Sequence, residues 1–149
     1  AEMPIILFQH PFDPLEVLHE QTPRMGLATG AYGASDIFIG TMRDHNEGDD
    51  VRAMTLQHYP GMTEKQLLAL IEDTKEQFGI QAALIAHRVG QINPGETIVL
   101  TATWSAHRKA AFDANRYLME TLKSTAPFWK KATLADGTER WVEKNTPGF

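Results

Sequence analysis

The sequence predicts an α+β fold in a single domain that spans residues 1–149. Three observations carry this prediction: strand-like runs that come in pairs, two long segments with helical periodicity, and the lack of a regular strand–helix–strand alternation. A chain of 149 residues with 42% hydrophobic side chains is also large enough to bury one substantial core.

The N-terminal third contains short elements joined by turns. An apolar run predicts a strand at 5–9, and helical spacing predicts a short helix at 14–20. The glycine-containing stretch 22–35 has few large apolar side chains and is typical of a loop. The runs 36–42 and 51–58 flank a polar turn and predict two partner strands.

Two long helices are marked by their ends. Thr63 is predicted to cap the first helix, with Gln66 three residues later as in a capping box, and Gly79 is predicted to end it. Ser105 is the predicted cap of the second helix, whose apolar stripe continues until Pro127 prevents further helix.

The remaining strands are predicted in two pairs. The apolar, β-branched runs 82–89 and 96–104 are separated by an Asn-Pro-Gly turn and are expected to pair in antiparallel fashion. Segments 131–134 and 138–143 flank an Ala-Asp-Gly turn and predict a C-terminal hairpin.

Charge is unevenly distributed along the chain. From Trp104 onward there are eight Lys/Arg against five Asp/Glu, a balance of +3, whereas residues 1–103 carry six against fourteen, a balance of −8. The segment 105–131 alone holds six cationic side chains and a histidine. A cationic segment in an acidic protein predicts a local anion site.

Composition excludes several classes of function. A nucleic-acid module built on Trp104, Trp129, Trp141 and the lysines is disfavoured, because the isoelectric point is about 5.6 and such domains usually exceed about 9. The absence of cysteine excludes disulfides and thiolate chemistry. The six histidines form no metal motif and no phosphate-loop pattern occurs, so neither metal nor cofactor is predicted. Without a long apolar run or a signal-peptide pattern, the expected location is cytoplasmic.

The start of the second helix is the first candidate for the anion site. His107 and Arg108 are predicted in its first turn, where unpaired N–H groups and the helix dipole favour a phosphate. The alternative is a solvated helix start that happens to be charged.

The end of that helix and the turn after it form the second candidate. Lys123 would either complement the helix dipole or belong to a site. Lys130 and Lys131 follow Pro and two aromatic residues, which would either aim two ammonium groups at a pocket or form an exposed basic turn. Arg43, at a strand end, is either a ligand contact or a surface residue. His87 is interpreted as a satisfied structural residue.

Five strings, in order, resemble a known family. They are GTMRDHN at 40–46, LQHYPGMTE at 56–64, HRVG at 87–90, SAHR at 105–108 and LKSTAPFWKK at 122–131. Together they resemble the large, catalytic subunit of molybdopterin synthase, over roughly residues 35–145. Five linked strings are far more specific than any single one.

The resemblance implies a concrete activity and assembly. The family converts cyclic pyranopterin monophosphate into molybdopterin by forming a dithiolene, so the enzyme is a sulfurtransferase of molybdenum cofactor biosynthesis. The sulfur arrives as a C-terminal thiocarboxylate on a small ubiquitin-like subunit. A homodimer of large subunits with one small subunit at each end gives a heterotetramer. The implied fold is an α/β hammerhead with an additional antiparallel sheet.

The resemblance also implies which residues act. Lys123 and Lys130 match the family's catalytic lysines, which would also contact substrate. Some members of the family have a basic residue at the position of Thr41. The implied substrate contacts form two further segments, Thr41, Met42 and Arg43 in the first and His107 and Arg108 in the second. Lys131 and Ala132 continue the contact that begins at Lys130.

A second hypothesis belongs to a different class. The chain would be a non-catalytic adaptor that binds a ubiquitin-like tail in a basic groove, where the same lysines would suit the terminal carboxylate. The presence of the substrate-contact strings beside the lysines favours the enzyme.

Overall fold

The computed structural model describes residues 4–46, 49–125 and 127–141. The predicted C-terminal strand therefore lies partly outside the described residues, and the single domain over 1–149 stays a prediction. The described elements, in chain order, are β1 (Ile5–Phe8), α1 (Pro14–Gln21), β2 (Ala34–Thr41), β3 (His45–Asn46), β4 (Asp49–His58), α2 (Met62–Phe78), β5 (Ala82–Arg88), β6 (Gly90–Ile92), β7 (Thr97–Ser105), α3 (Arg108–Ser124), β8 (Phe128–Leu134) and β9 (Glu139–Trp141).

The first sheet has four strands in the order β1-β5-β7-β2. β5 and β7 are antiparallel, as predicted, and β2 is antiparallel to β7, whereas β1 is parallel to β5. Alternation divides the side chains of the sheet between two cores. Ala83 and Ile85 pack on α2 and α3, while Ala82 and Leu84 pack towards α1.

The second sheet is antiparallel and is built around β4. The predicted pairing of the strands at 36–42 and 51–58 is wrong, because β2 pairs with β7 in the first sheet and β4 pairs with β8 in the second. β4 lies between β6 and β8, while β3 and β9 extend the sheet on either side. A separate apolar cluster, which includes Leu56, Ile92 and Ala132, forms its core. Two sheets with three helices confirm the α+β class, and the two 17-residue helices α2 and α3 are the predicted main helices.

The ends of α2 are only partly as predicted. Gly79 ends the helix with φ of 65°, a left-handed conformation that favours glycine, so this prediction is confirmed. The predicted cap is wrong: Gly61 is the N-cap, and its N–H donates to Glu64 Oε1 at 3.0 Å. Thr63 lies buried inside the first turn, where its hydroxyl accepts from Tyr59 N–H and donates to the Pro127 carbonyl.

The predicted cap of α3 is also wrong. Ser105 is the last residue of β7 and pairs with Ala34 of β2, so strand pairing holds it in extended backbone. The N-cap is His107, with φ of −131° and ψ of 156°. The Ser105 hydroxyl donates to the carbonyl of His107, the N-cap residue, and so does not cap an N–H group of the helix itself.

Side-chain hydrogen bonds attach α3 to the first sheet. The Thr103 hydroxyl of β7 donates to the Ala111 carbonyl at 2.8 Å. Asn115 Nδ2 donates to Asp36 Oδ2 of β2 at 3.0 Å. Since both bonds are at least partly buried, they fix the helix in position and with it the residues at its two ends.

Among the described residues, no helix combines the length and the hydropathy that a membrane span requires.

Candidate active site

Lys123 and Lys130 lie side by side in the structure. Lys123 is in the last turn of α3, and Lys130 is the third residue of β8. Their side chains interact directly. Burial, together with the neighbouring Lys123 cation, lowers the pKa of Lys130 to about 8. A lysine with this pKa exchanges a proton close to neutral pH, as an acid–base group must.

His87 belongs to the same cluster. It is buried at the end of β5, and its ring stacks on Phe128 with centroids 4.2 Å apart. Burial, together with the positive charges of Lys123 and Lys130, lowers the pKa of His87 to about 4. The imidazole is therefore uncharged at neutral pH.

Sequence reasoning missed this histidine as part of the site. A lone histidine in a run of buried strand residues is typical of a satisfied core residue. A signal was nevertheless present, because HRVG at 87–90 is one of the five strings that carry the family resemblance.

Lys131 does not join the lysine pair. Successive side chains of a strand point to opposite faces, so Lys131 leaves β8 on the face opposite to Lys130. There its ammonium group lies 2.9 Å from Glu139 Oε2 and 5.6 Å from the ring centre of Trp141. Ala132 shares the face of Lys130 but is buried in the core of the second sheet.

The segment Thr41–Arg43 lies at the same end of the first sheet as His87. Across the strands, His87 is opposite Val99 and Val99 is opposite Gly40. Neighbouring strands are about 5 Å apart, so this row brings the end of β2 close to the cluster.

The three residues of that segment differ in exposure. Met42 is buried, and its backbone is held by Glu96 and Gly95 through two 2.9 Å hydrogen bonds. Thr41 and Arg43 are exposed, and Arg43 helps to line an open cavity of about 450 Å³.

His107 and Arg108 lie at the opposite end of the sheet. Ser105 and Thr97 mark the two ends of β7 and are separated by about 26 Å at the rise of an extended strand. α3 returns over the same distance, because its 17 residues span about 25 Å. Within one chain, the two predicted substrate-contact segments therefore do not converge.

The exposed residues His107 and Arg108 follow a tightly packed backbone segment at Ser105 and Ala106. Gly33 N–H donates to the Ser105 carbonyl at 3.0 Å, and a Cβ atom on Gly33 would lie 2.5 Å from the Ala106 carbonyl oxygen. Only a residue without a side chain fits at this contact.

Replacing Gly33 with alanine is expected to lower the free energy of unfolding by about 1–3 kcal/mol, because the added methyl group forces the backbone before α3 to move. Denaturant unfolding measures the change. Ser35→Ala, which truncates an exposed side chain two residues away, is the control and should be nearly neutral. Equal stability of Gly33→Ala and the wild type would contradict the packing described at Ala106.

The pKa of Lys130 predicts a pH-dependent change in stability. In the unfolded chain the lysine keeps a pKa near 10.5, whereas the folded value is about 8. Below pH 8 the fold must hold this ammonium in an unfavourable environment, and that penalty fades as the pH rises from 8 to 10.5. We expect Lys130→Met to be more stable than the wild type by about 2 kcal/mol at pH 7, and less so at pH 10.5.

Lys131→Met is the matched control, since its lysine is paired with Glu139 on the other face of the same strand. It should show no gain in thermal or denaturant unfolding at pH 7. A difference between Lys130→Met and the wild type that is the same at both pH values would contradict the lowered pKa.

Exposed apolar side chains follow the free edge of the first sheet. β2 is the edge strand, and its residues Ile37, Phe38 and Ile39 are 43%, 43% and 36% exposed. Alternation puts Phe38 on one face of the sheet and the two isoleucines on the other. A strand edge that no other described strand covers, with apolar side chains on both faces, is a surface suited to pairing with another chain.

Metal binding has no support in the described part of the chain. Over residues 4–46, 49–125 and 127–141, no three His, Asp or Glu side chains come together as a possible ligand set. The cluster of Lys123, Lys130 and His87 supplies ammonium groups and an uncharged imidazole.

Comparison with known proteins gives one consistent family. The family described as MoaE protein matches residues 8–125. The molybdopterin synthase catalytic subunit of Pseudomonas aeruginosa is 44% identical over 144 residues, which cover 95% of this chain and 91% of that protein.

Solved structures agree in fold. The crystal structure of molybdopterin synthase from Staphylococcus aureus has a TM-score of 0.79 and 26% identity, and the match covers 97% of this chain and 98% of that one. The complex of subunits 1 and 2 of molybdopterin-converting factor from Helicobacter pylori has a TM-score of 0.76 over 97% of this chain and 93% of that one. Its identity is 18%, so the likeness is one of fold.

Proposed function

Because this chain belongs to the MoaE protein family, we propose that it is the catalytic subunit of a molybdopterin synthase. It converts cyclic pyranopterin monophosphate into molybdopterin by forming the dithiolene. The observation that carries the proposal is the direct contact of Lys123 with Lys130 in a half-buried cluster at the end of the first sheet. Both are the lysines that the family resemblance assigns to catalysis.

The sulfur comes from outside this chain, which contains no cysteine. A small ubiquitin-like subunit presents its C-terminal thiocarboxylate, whose sulfur attacks a carbon of the substrate and displaces an oxygen substituent from it. Water then cleaves the resulting thioester, which leaves the sulfur on the substrate and a carboxylate on the small subunit. The two-subunit assembly of the Helicobacter pylori relative supports such a partner. The two ammonium groups complement the charge of the tail and stabilise the negative charge that develops as the acyl group is released.

Lys130 is suited to move the protons. With a pKa of about 8, its ammonium form predominates at pH 7, yet the neutral amine is accessible. It can therefore protonate a leaving group and recover the proton in the next step. Lys123, held beside it, supplies a fixed positive charge and keeps that pKa low.

The phosphate and the pterin are held by Arg43, His107 and Arg108, with Thr41 and Met42 beside Arg43. Lys131 and Ala132 follow Lys130 in β8, but Lys131 faces Glu139 and Ala132 is buried, so the contact of this strand with substrate is assigned to Lys130. Since His107 and Arg108 lie about 26 Å from the other end of β7, we propose that they act in the site of a second protomer.

A homodimer that pairs β2 with β2 meets this requirement. In an antiparallel pair related by a two-fold axis, the start of one strand lies opposite the end of the other. Ala34, which is next to Ser105, then faces the end of the partner's β2. His107 of the partner subunit comes towards Arg43, and pairing covers the apolar side chains of the edge.

One reconstitution separates the enzyme from the adaptor. The purified chain, a thiocarboxylated small subunit and cyclic pyranopterin monophosphate are mixed, and molybdopterin is measured as its fluorescent oxidation product. The enzyme gives dithiolene product that depends on this chain. Binding of the small subunit with no product would support the adaptor instead, since the lysine pair alone could hold a carboxylate tail. Cytoplasmic location stays a prediction.

A further inference from the structure

His87 is a buried titratable residue that has no role in the proposed chemistry of Lys123 and Lys130. On β5 it follows Ala83 and Ile85 on the face that packs against α2 and α3. Its partners across the sheet, Leu7 of β1 and Val99 of β7, are apolar. His87 is the last residue in this apolar row and lies beside the two lysines. A buried polar ring needs a polar hydrogen-bond partner, which the apolar core does not provide.

One nitrogen of the ring has a backbone partner. Nδ1 lies 2.7 Å from the Arg88 carbonyl oxygen. A carbonyl oxygen only accepts, so Nδ1 must carry the hydrogen. In the uncharged ring the other nitrogen, Nε2, then has a lone pair and is a hydrogen-bond acceptor.

The ring is also fixed in its plane. It stacks on Phe128 at an interplanar angle of 17°. Phe128 and Lys130 are two residues apart in β8, so their side chains leave the strand on the same face. The stacked ring is therefore adjacent to the lysine pair.

The charges around the ring come from two elements. Lys123 on α3 and Lys130 on β8 both act electrostatically on His87. The residues that α2 contributes to this core, Leu67 and Ile71, carry no charge. The two lysine cations and the uncharged His87 acceptor are thus packed together on the face of the first sheet that contacts α2 and α3.

We propose that His87 is a positioning residue whose Nε2 accepts a hydrogen bond from an ammonium group of the lysine pair and sets its protonation and direction. This inference rests on the proposed function for its effect on catalysis. Adjacent ammonium groups repel each other, and an uncharged acceptor stabilises the charged form of one of them without adding charge. Removing the acceptor leaves the lysine side chain without the hydrogen bond that orients it and favours its neutral amine form.

The principal variant is His87→Phe, which keeps an aromatic ring against Phe128 and deletes both nitrogens. His87→Gln is the rescue variant, because its side-chain oxygen can restore an acceptor near the position of Nε2. Two measurements are made on the full chain. The first is the pH dependence of acetylation of Lys123 and Lys130 by acetic anhydride, followed by mass spectrometry, which needs neither substrate nor small subunit. The second is the pH profile of molybdopterin formation.

With His87→Phe, we expect acetylation of the lysine pair at pH 7 to rise several-fold, because the neutral amine is more populated. The rate of product formation should fall about 10- to 100-fold at saturating substrate with little change in KM, and the pH profile should shift to lower pH. His87→Gln should recover most of both properties. Thermal unfolding verifies that the variants are folded.

The outcomes are distinct. Unchanged acetylation of both lysines, or an unchanged rate and pH profile, overturns the positioning role. Equal losses in His87→Phe and His87→Gln, at all pH values, indicate a packing role only and also overturn it. If His87→Phe does not fold, His87→Asn, which keeps a donor for the Arg88 carbonyl, is compared with His87→Gln in the same way. Failure of the wild type to form product overturns the proposed function. The acetylation result still tests the effect of His87 on the lysine pair in that case, because it does not depend on product formation.

Discussion

Replacing Lys130 with alanine should slow molybdopterin formation by about 10²–10⁴-fold, the usual effect of losing a positioned acid–base group. Lys123→Ala should give a loss of similar size, since it removes both a positive charge from the site and the neighbour that lowers the pKa of Lys130. The measurement is the single-turnover rate with thiocarboxylated small subunit and precursor, at saturating concentrations of both.

Lys109→Ala is the control for general loss of charge. Lys109 lies on the same helix as Lys123, but its side chain is 88% exposed and is paired with Asp113 at 2.6 Å. Its removal should leave the rate unchanged within about twofold, as for an exposed ion pair. Wild-type rates for both Lys123→Ala and Lys130→Ala would remove the lysines from the mechanism.

Mixing two inactive variants should restore activity if the site is shared between protomers. Arg43→Ala and Arg108→Ala each damage both sites of a homodimer. In a mixed dimer, one site receives both substitutions and the other receives neither, because Arg43 of one protomer works with the partner subunit's Arg108. After exchange of subunits in an equal mixture, we expect about a quarter of wild-type activity.

A second mixture provides the control. Lys123 and Lys130 meet within one chain, so a mixed dimer of Lys123→Ala and Lys130→Ala has one damaged lysine in each site. This pair should not recover. Recovery in neither mixture, after subunit exchange has been verified by native mass spectrometry, would show that Arg43 and Arg108 do not meet across the dimer.

The secondary structure was largely predictable because its signals are local. The antiparallel β5–β7 pair and the Gly79 end of α2 follow from β-branched runs and from a left-handed glycine. The caps at Thr63 and Ser105 were mispredicted because tertiary contacts override local preference. Thr63 is used to hold Pro127, and Ser105 is held by pairing with β2.

Pairings between distant segments were not predictable in the same way. β8 pairs with β4, and the partners Leu56 and Lys130 are far apart in the chain. No local spacing signals such a contact. Yet this register decides that Lys130 faces the cluster and that Lys131 faces Glu139.

By itself, the sequence determined the elements, the cationic character of segment 105–131 and, through five linked strings, the two lysines. Only the tertiary structure decided which of these groups meet. α3 is a rigid rod of about 25 Å, so the His107 and Lys123 that one segment encodes are held at opposite ends of the sheet. Strand β8 instead brings Lys130 to Lys123, and the buried His87 of a distant strand joins them.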